Sequence, residues 1–208
     1  DSLTDVNLSE MGYYTFTADA IGEVEDVIIS ATGYTGAGGF ELYVPNEHAE
    51  HLWDAVLKAG ESVGMKPAGL AARDTLRLEM GFCLYGNDID ATTSPIEAGL
   101  GWITKFTKDF VDGGLLKQHK EEGTSRRLVG FEMIDRGIPR KDYEIVDANG
   151  ETIGVVTSGT MSPSLSKAIG LGYVTVDHKS PETEIFIQVR NKSLKAKVVK
   201  LPFYKNAR

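Results

Sequence analysis

The pattern of hydrophobic and polar positions changes about midway along the chain. Before residue 81, short strand-like stretches are followed by two segments whose apolar residues recur at helical spacing. The predicted strands cover 13–16, 27–31 and 40–44, and the predicted helices cover 47–63, with Asn46 as N-cap, and 70–80, with Gly81 as the C′ residue. Strands followed by helices in this order predict an α+β layer domain.

The second half of the chain consists of short strand-like stretches separated by turns. A highly charged run without large apolar residues, 117–127, precedes them, and we place the domain boundary there, with 1–120 in the first domain and 121–208 in the second. The predicted strands, which are rich in β-branched and aromatic residues, cover 127–134, 143–146, 152–157, 168–174, 184–189 and 194–201. Six short strands predict a small barrel or sandwich.

Composition and charge narrow the class of protein. With 208 residues, of which 41% are hydrophobic, the chain can form two modest cores. Its formal net charge of -8 repels nucleic acid and anionic membrane surfaces, and no apolar run approaches the roughly 20 residues that span a bilayer. We therefore expect a soluble protein whose partners include neither nucleic acid nor a membrane.

Cysteine and histidine usage argues against a metal centre. Cys83 is the only cysteine, which excludes an internal disulfide and a cysteine-built metal site and fits a reducing compartment. The four histidines show no metal-ligand spacing. Ser158 and Ser162 lie in short polar stretches, which we interpret as loops rather than as sites of a nucleophile. We expect neither a metal site nor covalent catalysis.

A glycine-rich segment, 33–39, joins the second and third predicted strands. A strand rather than a helix follows it, and the Lys-Ser/Thr ending of a P-loop is missing, so a hairpin with glycines at positive φ is favoured over a phosphate site. Alternation along the third strand places Glu41 and Tyr43 on the face opposite to Leu42. Glu41 is either solvated or faces a cavity, where its two oxygens can accept parallel hydrogen bonds from a ligand.

Two arginines lie on one face of the second predicted helix. Arg73 and Arg77 are four residues apart, and like charges at this spacing destabilise a helix by roughly a few tenths of a kcal/mol unless an anion meets them. They form either an exposed pair bridged by Asp74 or Glu79, or a functional pair. In the second case the rigid, planar guanidinium of Arg73 donates hydrogen bonds to a ligand carbonyl or carboxylate, and Arg77 is a structural ion-pair partner.

A series of short motifs runs almost from end to end of the chain. The motifs are TGYTG at 32–36 with GFE at 39–41, GLAARDTLRLE at 69–79, LYGNDI at 84–89, PIEAGL at 95–100, GIPR at 137–140, VTSGT at 156–160 with SP at 162–163, and KLPFY at 200–204. In this order and density they closely resemble the aminomethyltransferase family, the folate-dependent T-proteins of the glycine cleavage system. Chance agreement over so many stretches is implausible.

The resemblance implies a fold and a set of site residues. The fold is α+β, with part of a folate-binding domain followed by a small C-terminal antiparallel β-barrel. Tyr34, Glu41, Arg73 and Tyr204 fall on folate-contacting positions, with Glu41 as the partner of the pterin ring. The family's full chain is longer, and the aspartate thought to assist the chemistry lies in an N-terminal portion that we expect to be absent here. We therefore assign no catalytic residue, and we expect an uncovered apolar face to promote self-association.

The same resemblance implies an activity. A one-carbon unit passes from an aminomethyl group on the lipoyl arm of the H-protein to tetrahydrofolate, the acceptor, and ammonia is released; no metal or redox cofactor is implied. We expect this piece alone to be inactive, and the protein to lie in the bacterial cytoplasm or, in a eukaryote, the mitochondrial matrix.

Two alternatives remain open. One is the folate-binding region of a sarcosine- or dimethylglycine-oxidising flavoprotein. The other is a non-catalytic folate-binding protein that maintains iron-sulfur enzymes. Its hallmark Lys-Gly-Cys-Tyr type of motif is absent, since Cys83 lies in Gly-Phe-Cys-Leu-Tyr-Gly.

Overall fold

The computed structural model describes residues 2–205, whose contacts divide the chain into two compact units. The first, called the sheet unit below, extends to Leu76, and the second, called the barrel unit, begins at Arg77. The domain boundary expected between residues 120 and 121 stays a prediction. In the described part of the chain, no helix has the length and apolar character needed to span a membrane.

The sheet unit contains a three-stranded antiparallel sheet packed on a helix. Its strands are β1 (Phe16–Ile21), β2 (Val24–Ser30) and β3 (Glu41–Tyr43), in that spatial order, and the helix is α1 (Ala49–Gly60). Side chains two apart on a strand share a face, so one face of the sheet can bury a continuous apolar set. That core comprises Ile21, Val24, Val27, Ile29, Leu42, Val44, Leu52 and Val56.

Helix α1 begins later than the sequence predicts. A 3-10 turn, Asn46–His48, precedes it, and the His48 amide donates to the Pro45 carbonyl at 3.0 Å. The prediction of Asn46 as N-cap is therefore wrong, because Asn46 lies inside this turn and His48 occupies the cap position of the helix. A second 3-10 turn, Glu61–Val63, continues the helical segment to its predicted end.

The first strand lies further along the chain than predicted. Tyr14 has a φ of 65°, which interrupts an extended backbone, and β1 starts only at Phe16. Residues 17–20, Thr-Ala-Asp-Ala, have weak strand propensity. They form a strand because β2 pairs with them, from Phe16 opposite Ser30 onwards. Tertiary pairing thus overrides the local preference on which the prediction over 13–16 rested.

Helix α2 (Leu70–Glu79) ends as predicted, with Gly81 just beyond it. Gly81 has a φ of 70°, and its amide donates to the Leu78 carbonyl at 2.8 Å. The amide of Phe82 donates to the Arg77 carbonyl at 2.9 Å. These two bonds form a Schellman motif, which satisfies carbonyls at the helix end and needs a residue that tolerates positive φ.

The barrel unit contains helix α3 (Gly113–Glu122) and six antiparallel strands. The strands are β4 (Arg126–Met133), β5 (Glu144–Val146), β6 (Thr152–Ser162), β7 (Lys167–Thr175), β8 (Glu184–Val189) and β9 (Lys192–Val199). They close in the order β4-β7-β6-β5-β8-β9, because β4 pairs with both β7 and β9. Six strands are confirmed, and of the two predicted architectures the structure is the barrel.

The barrel interior is a packed core. One layer comprises Val129, Phe131, Ile145, Val156, Ile185, Ile187 and Val198, all almost fully buried. Strands β6 and β7 approach so closely at Gly154 that a Cβ there would lie 1.9 Å from the Tyr173 carbonyl oxygen. Any side chain at this position would force the two strands apart.

Helix α3 covers most of the charged run in which we place the domain boundary. Its apolar residues, Leu115 and Leu116, come before the run, so the run alone shows no amphipathic pattern. The helix extends through the charged residues to Glu122, and Gly123 follows with a φ of 89°. The charged composition therefore does not mark an extended linker.

Candidate functional site

The glycine-rich segment forms the connection between two antiparallel strands, as predicted. Strands β2 and β3 pair through Ser30 opposite Glu41 and Ile28 opposite Tyr43. Three of the glycines, Gly36, Gly38 and Gly39, have positive φ angles of 70°, 73° and 110°. A strand follows the loop, so the hairpin interpretation is confirmed over the phosphate site.

Glu41 is an exposed carboxylate whose orientation is set by two hydroxyl groups. The Thr32 hydroxyl donates a short hydrogen bond to Oε2 of Glu41, and Oγ of Ser30 lies 3.0 Å from the same Thr32 oxygen. Glu41 lies on the sheet face opposite to Leu42, which packs against the core, as strand alternation predicts. Since Thr32 holds one oxygen, Oε1 keeps its capacity to accept hydrogen bonds.

Tyr13, which the sequence did not single out, lies near this carboxylate and pairs with Tyr14. The rings of Tyr13 and Tyr14 are 4.3 Å apart between centroids. Partial burial, a hydrogen bond with Tyr14 and the negative charge of Glu41 together raise the pKa of Tyr13. Treating 13–16 as a strand concealed these residues, although two adjacent tyrosines before a strand of small residues were a usable signal.

The face of the sheet that carries Glu41 is largely apolar and exposed. Phe16 and Glu41 both pair with Ser30, from opposite sides, and Ile28 pairs with Tyr43. Phe16, Ile28 and Tyr43 are all among the exposed large hydrophobic residues. A carboxylate on a face that also exposes apolar side chains, two of them aromatic, suits a planar heterocycle that has hydrogen-bond donors on one edge.

Arg73 and Tyr34 form a contact that is also within the sheet unit. The guanidinium carbon of Arg73 lies 4.4 Å from the centroid of the Tyr34 ring, in cation-π geometry. Such a contact contributes about 0.5–1 kcal/mol at an exposed site and holds the guanidinium plane in one orientation. Arg73 is itself exposed, on the first turns of α2. Two predicted site residues, Tyr34 and Arg73, are thus brought together.

Tyr204 belongs to the barrel unit. Its amide donates to the Glu79 carbonyl at 3.0 Å, and its side chain is half-buried. The contact fixes the backbone of the C-terminal segment but does not test a ligand role. Its place in a folate site stays a prediction.

Arg77 is a buried ion-pair partner, as the functional interpretation of the arginine pair predicted. It is 1% exposed, and its Nη1 lies 2.7 Å from Oδ2 of Asp88. The same Nη1 donates to the Phe82 carbonyl at 2.9 Å, and Nη2 donates to Oγ of Ser158 at 2.8 Å. Burying a charge in the interior of a protein requires this degree of pairing.

A bulge in β6 brings two consecutive hydroxyls to this ion pair. Val156 pairs with Gly172 but Ser158 pairs with Leu171, so Thr157 is an extra residue in the ladder. Adjacent side chains on a regular strand point to opposite faces, yet Thr157 donates to Asp88 while Ser158 accepts from Arg77. The interpretation of Ser158 as a loop residue is therefore wrong.

Glu79 has an equally complete set of partners. Its Oε1 accepts from the Ser162 hydroxyl at 2.5 Å, and its Oε2 accepts from the Ser164 hydroxyl at 2.8 Å. Ser162 is the last residue of β6 and is fully buried, so the loop interpretation is wrong here too. Both serines have a structural role that short-range sequence patterns did not show.

The residues that the structure describes include no cluster of three or more His, Cys, Asp or Glu side chains able to hold a metal. Cys83 is half-buried, and burial together with the neighbouring Asp88 raises the pKa of its thiol to about 11. At neutral pH this thiol is protonated, which makes it a poor nucleophile.

Comparison with known proteins identifies relatives of both parts of the chain. The family described as "GCVT N-terminal domain" matches residues 1–108, and the "Glycine cleavage T-protein C-terminal barrel domain" matches residues 126–205. An aminomethyltransferase of Flavobacterium psychrophilum is 60% identical over 204 residues, and one of Bacteroides thetaiotaomicron is 62% identical over 205 residues. Each alignment covers 98% of this chain and 57% of the relative.

A solved structure is similar to this chain over most of its length. The crystal structure of glycine cleavage system aminomethyltransferase T from Bartonella henselae matches with a TM-score of 0.86 and 36% sequence identity. The match covers 94% of this chain and 54% of that one. The chain belongs to the glycine cleavage T-protein family. It spans 57% of the length of the curated relatives named above.

Proposed function

We propose that this chain provides folate-binding residues and the barrel of a tetrahydrofolate-dependent aminomethyltransferase of the glycine cleavage system. The observation that carries the proposal is the Glu41 carboxylate, oriented by Thr32 on an exposed aromatic face of the sheet. Relatives at about 60% identity are named aminomethyltransferase, which supports the same activity.

The proposed site residues have distinct roles toward folate. Glu41 accepts hydrogen bonds from the 2-amino group and the ring N–H of the pterin, a pair of donors that matches the two oxygens of a carboxylate. Arg73 donates to a carbonyl or carboxylate of the ligand, and Tyr34 keeps its guanidinium plane in position. Tyr204 completes the proposed set, from the C-terminal segment.

The proposed reaction moves a one-carbon unit between two carriers. The aminomethyl group arrives bonded to a sulfur of the lipoyl arm of the H-protein. Its carbon forms bonds to N5 and N10 of tetrahydrofolate as its bonds to nitrogen and sulfur break, and the two N–H protons leave with ammonia and the lipoyl thiol. Holding N5 against that carbon, and stabilising the cationic state formed as ammonia leaves, are the main sources of rate enhancement. Glu41 and Arg73 contribute to the first of these, because they orient the folate.

The test is the affinity for tetrahydrofolate of a Glu41→Gln variant in the full-length protein. The substitution keeps the shape of the side chain but replaces an acceptor oxygen by an amide, so binding should weaken by about 1.5–3 kcal/mol. Calorimetric titration measures the change. Glu25→Gln is the matched control, because Glu25 is exposed on β2 of the same sheet. Unchanged affinity for the Glu41 variant would remove this residue from the site.

A further inference from the structure

A pocket within the barrel unit collects basic side chains, although the chain as a whole has a formal net charge of -8. Its volume is about 500 Å³, which is within the usual range of small-molecule sites. The walls come from the segment before Trp102, the last turn of α3, the start of β4 and the turn after β7. The basic pocket is defined here by Trp102, His119, Lys120, Arg127 and Lys179.

Three of the cations in the basic pocket form no ion pair with an acidic side chain in the described part of the chain. All ionisable side chains among its described lining residues are basic, and Lys120, Arg127 and Lys179 take part in no ion pair within residues 2–205. Arg126 provides the contrast, since it binds both carboxylate oxygens of Glu97, at 2.9 and 3.1 Å. Glu97 interacts electrostatically with His119, and Nζ of Lys120 lies 5.2 Å from the centroid of the Phe106 ring. Cations without carboxylate partners that share a concave surface repel one another and attract an anion.

The end of helix α3 accounts for only two of these charges. The C-terminus of a helix carries a partial negative charge that favours cations in the last turn, where His119 and Lys120 lie. Arg127 is on β4 and Lys179 follows β7, so no α-helix end explains them. A positive potential therefore remains after the helix is taken into account.

Arg127 is a half-buried cation of the pocket lining with a fixed side chain. Its Nη1 donates to the Ile96 carbonyl at 2.5 Å, which fixes the side chain. Its Nη2 lies next to Gly99, where a Cβ would be in van der Waals contact at 3.7 Å. A half-buried guanidinium with a fixed direction suits a phosphate or carboxylate.

Trp102 adds an apolar wall beside these cations. Its side chain is 72% exposed, which is unusual for the largest apolar side chain unless a ligand or partner covers it. An indole next to a cluster of cations can stack on a flat ligand while the cations bind the charged end.

We propose that the basic pocket binds a small organic anion. A phosphate or carboxylate group contacts Arg127, Lys120 and Lys179, and an aromatic or otherwise flat body lies against Trp102. The site lies within the barrel unit and shares no residue with the proposed folate contacts.

The two tryptophans of the chain make the proposal directly measurable. In a Trp53→Phe background Trp102 is the only tryptophan, so its fluorescence reports on the pocket alone. Titration with phenyl phosphate at low salt should give a saturable change with a midpoint below about 1 mM, a modest affinity expected for so small a ligand. Inorganic phosphate should bind more weakly, and phenol should give no saturable change at the same concentrations.

Charge reversal distinguishes binding at the basic pocket from general electrostatic attraction between the ligand and the protein. The double variant Lys120→Glu, Lys179→Glu should weaken phenyl phosphate binding at least about tenfold, which corresponds to about 1.4 kcal/mol. The control is Lys117→Glu, Lys192→Glu, which changes the net charge equally at two exposed residues outside the pocket and should change affinity less than about twofold. Thermal unfolding midpoints verify that both variants fold.

Three results would each overturn the proposal. They are the absence of saturation by phenyl phosphate, equal weakening by the two double variants, and phenol binding as tightly as phenyl phosphate. None of these results bears on folate affinity, so the proposal fails or stands separately from the proposed function.

Discussion

Two arginines one helical turn apart on α2 have opposite environments. Arg77 is 1% exposed, and Asp88, Ser158 and the Phe82 carbonyl surround its guanidinium. Arg73 is exposed and lies over a tyrosine ring. A buried charge must be satisfied within the protein, whereas an exposed guanidinium held by a ring keeps donors for a ligand.

The same contrast holds between two glutamates. Glu79 accepts hydrogen bonds on both carboxylate oxygens, from Ser162 and Ser164. Glu41 accepts one from Thr32 and lies on an exposed face. Residues of identical chemistry thus divide into those that stabilise the fold and those with remaining capacity for binding, and the division follows burial and partners rather than residue type.

The largest expected effect is on stability. Asp88→Ala should lower the free energy of unfolding of the barrel unit by about 3–5 kcal/mol, because it removes the carboxylate that lies 2.7 Å from the buried Arg77 guanidinium. Urea unfolding followed by circular dichroism measures the loss. The double variant Arg77→Met, Asp88→Leu should lose less than Asp88→Ala alone, since it removes the buried guanidinium together with its carboxylate partner. A loss below about 1 kcal/mol for Asp88→Ala would contradict the structural role of the pair.

Replacing each arginine by lysine should separate the two roles. Arg77→Lys should cost about 1–3 kcal/mol of stability, because a lysine cannot reach Asp88, Ser158 and the Phe82 carbonyl together. Arg73→Lys should change stability by less than about 0.5 kcal/mol, yet weaken tetrahydrofolate binding by about 1–2 kcal/mol. Unfolding curves and calorimetric titration of the same two proteins give both values. A reversed pattern would exchange the assigned roles.

The hydroxyl of Thr32 should matter for binding rather than for folding. Thr32→Val removes the donor that orients Glu41, so we expect tetrahydrofolate affinity to fall by about 0.5–1.5 kcal/mol. Thr32→Ser keeps the hydroxyl and should bind as the parent protein does. Loss of affinity in Thr32→Ser but not in Thr32→Val would show that the methyl group, not the hydrogen bond, is what the site requires.

The smallest effect concerns pH and the partly buried ion pair between Glu97 and Arg126 in the barrel unit. Burial opposes ionisation of Glu97, but hydrogen bonds from Arg126 and from the Ser94 amide outweigh it and lower the pKa of its carboxyl. A carboxyl with a lowered folded-state pKa stabilises the protein above its unfolded pKa of about 4.3, and this contribution is lost as pH falls through the folded value.

Glu97→Gln tests this contribution. At pH 7 the variant should be less stable than the parent by about 0.5–1 kcal/mol, and the difference should vanish in acid, below the lowered pKa. Unfolding midpoints measured between neutral and acidic pH follow it. A difference that persists in acid would mean that the loss is not electrostatic.

Local patterns were sufficient for much of the fold. Gly81 marked the end of α2, because a left-handed residue is required there. The six strand-like stretches gave the strands of the barrel, and alternation put Glu41 on the face opposite to Leu42. The region around Tyr14 was mispredicted, because β1 depends on pairing with β2 rather than on its own composition.

For the candidate site, the sequence singled out Tyr34, Glu41 and Arg73, because a motif preserves residue order and chemistry. It could not show that Tyr34 and Arg73 touch, that Thr32 orients Glu41, or that Tyr13 lies nearby. Those facts depend on the path of a ten-residue loop and on the register between strands, which no short-range pattern encodes.

The sequence by itself determined periodicity, turn positions and the motifs of the family, since each depends on residues close together along the chain. Only the tertiary structure decided which arginine is buried. Arg77 finds Asp88 eleven positions away and Ser158 eighty-one positions away, across a strand bulge that turns Thr157 and Ser158 toward one ion pair. Contacts over such separations follow from how the strands close and pair, which local preferences do not specify.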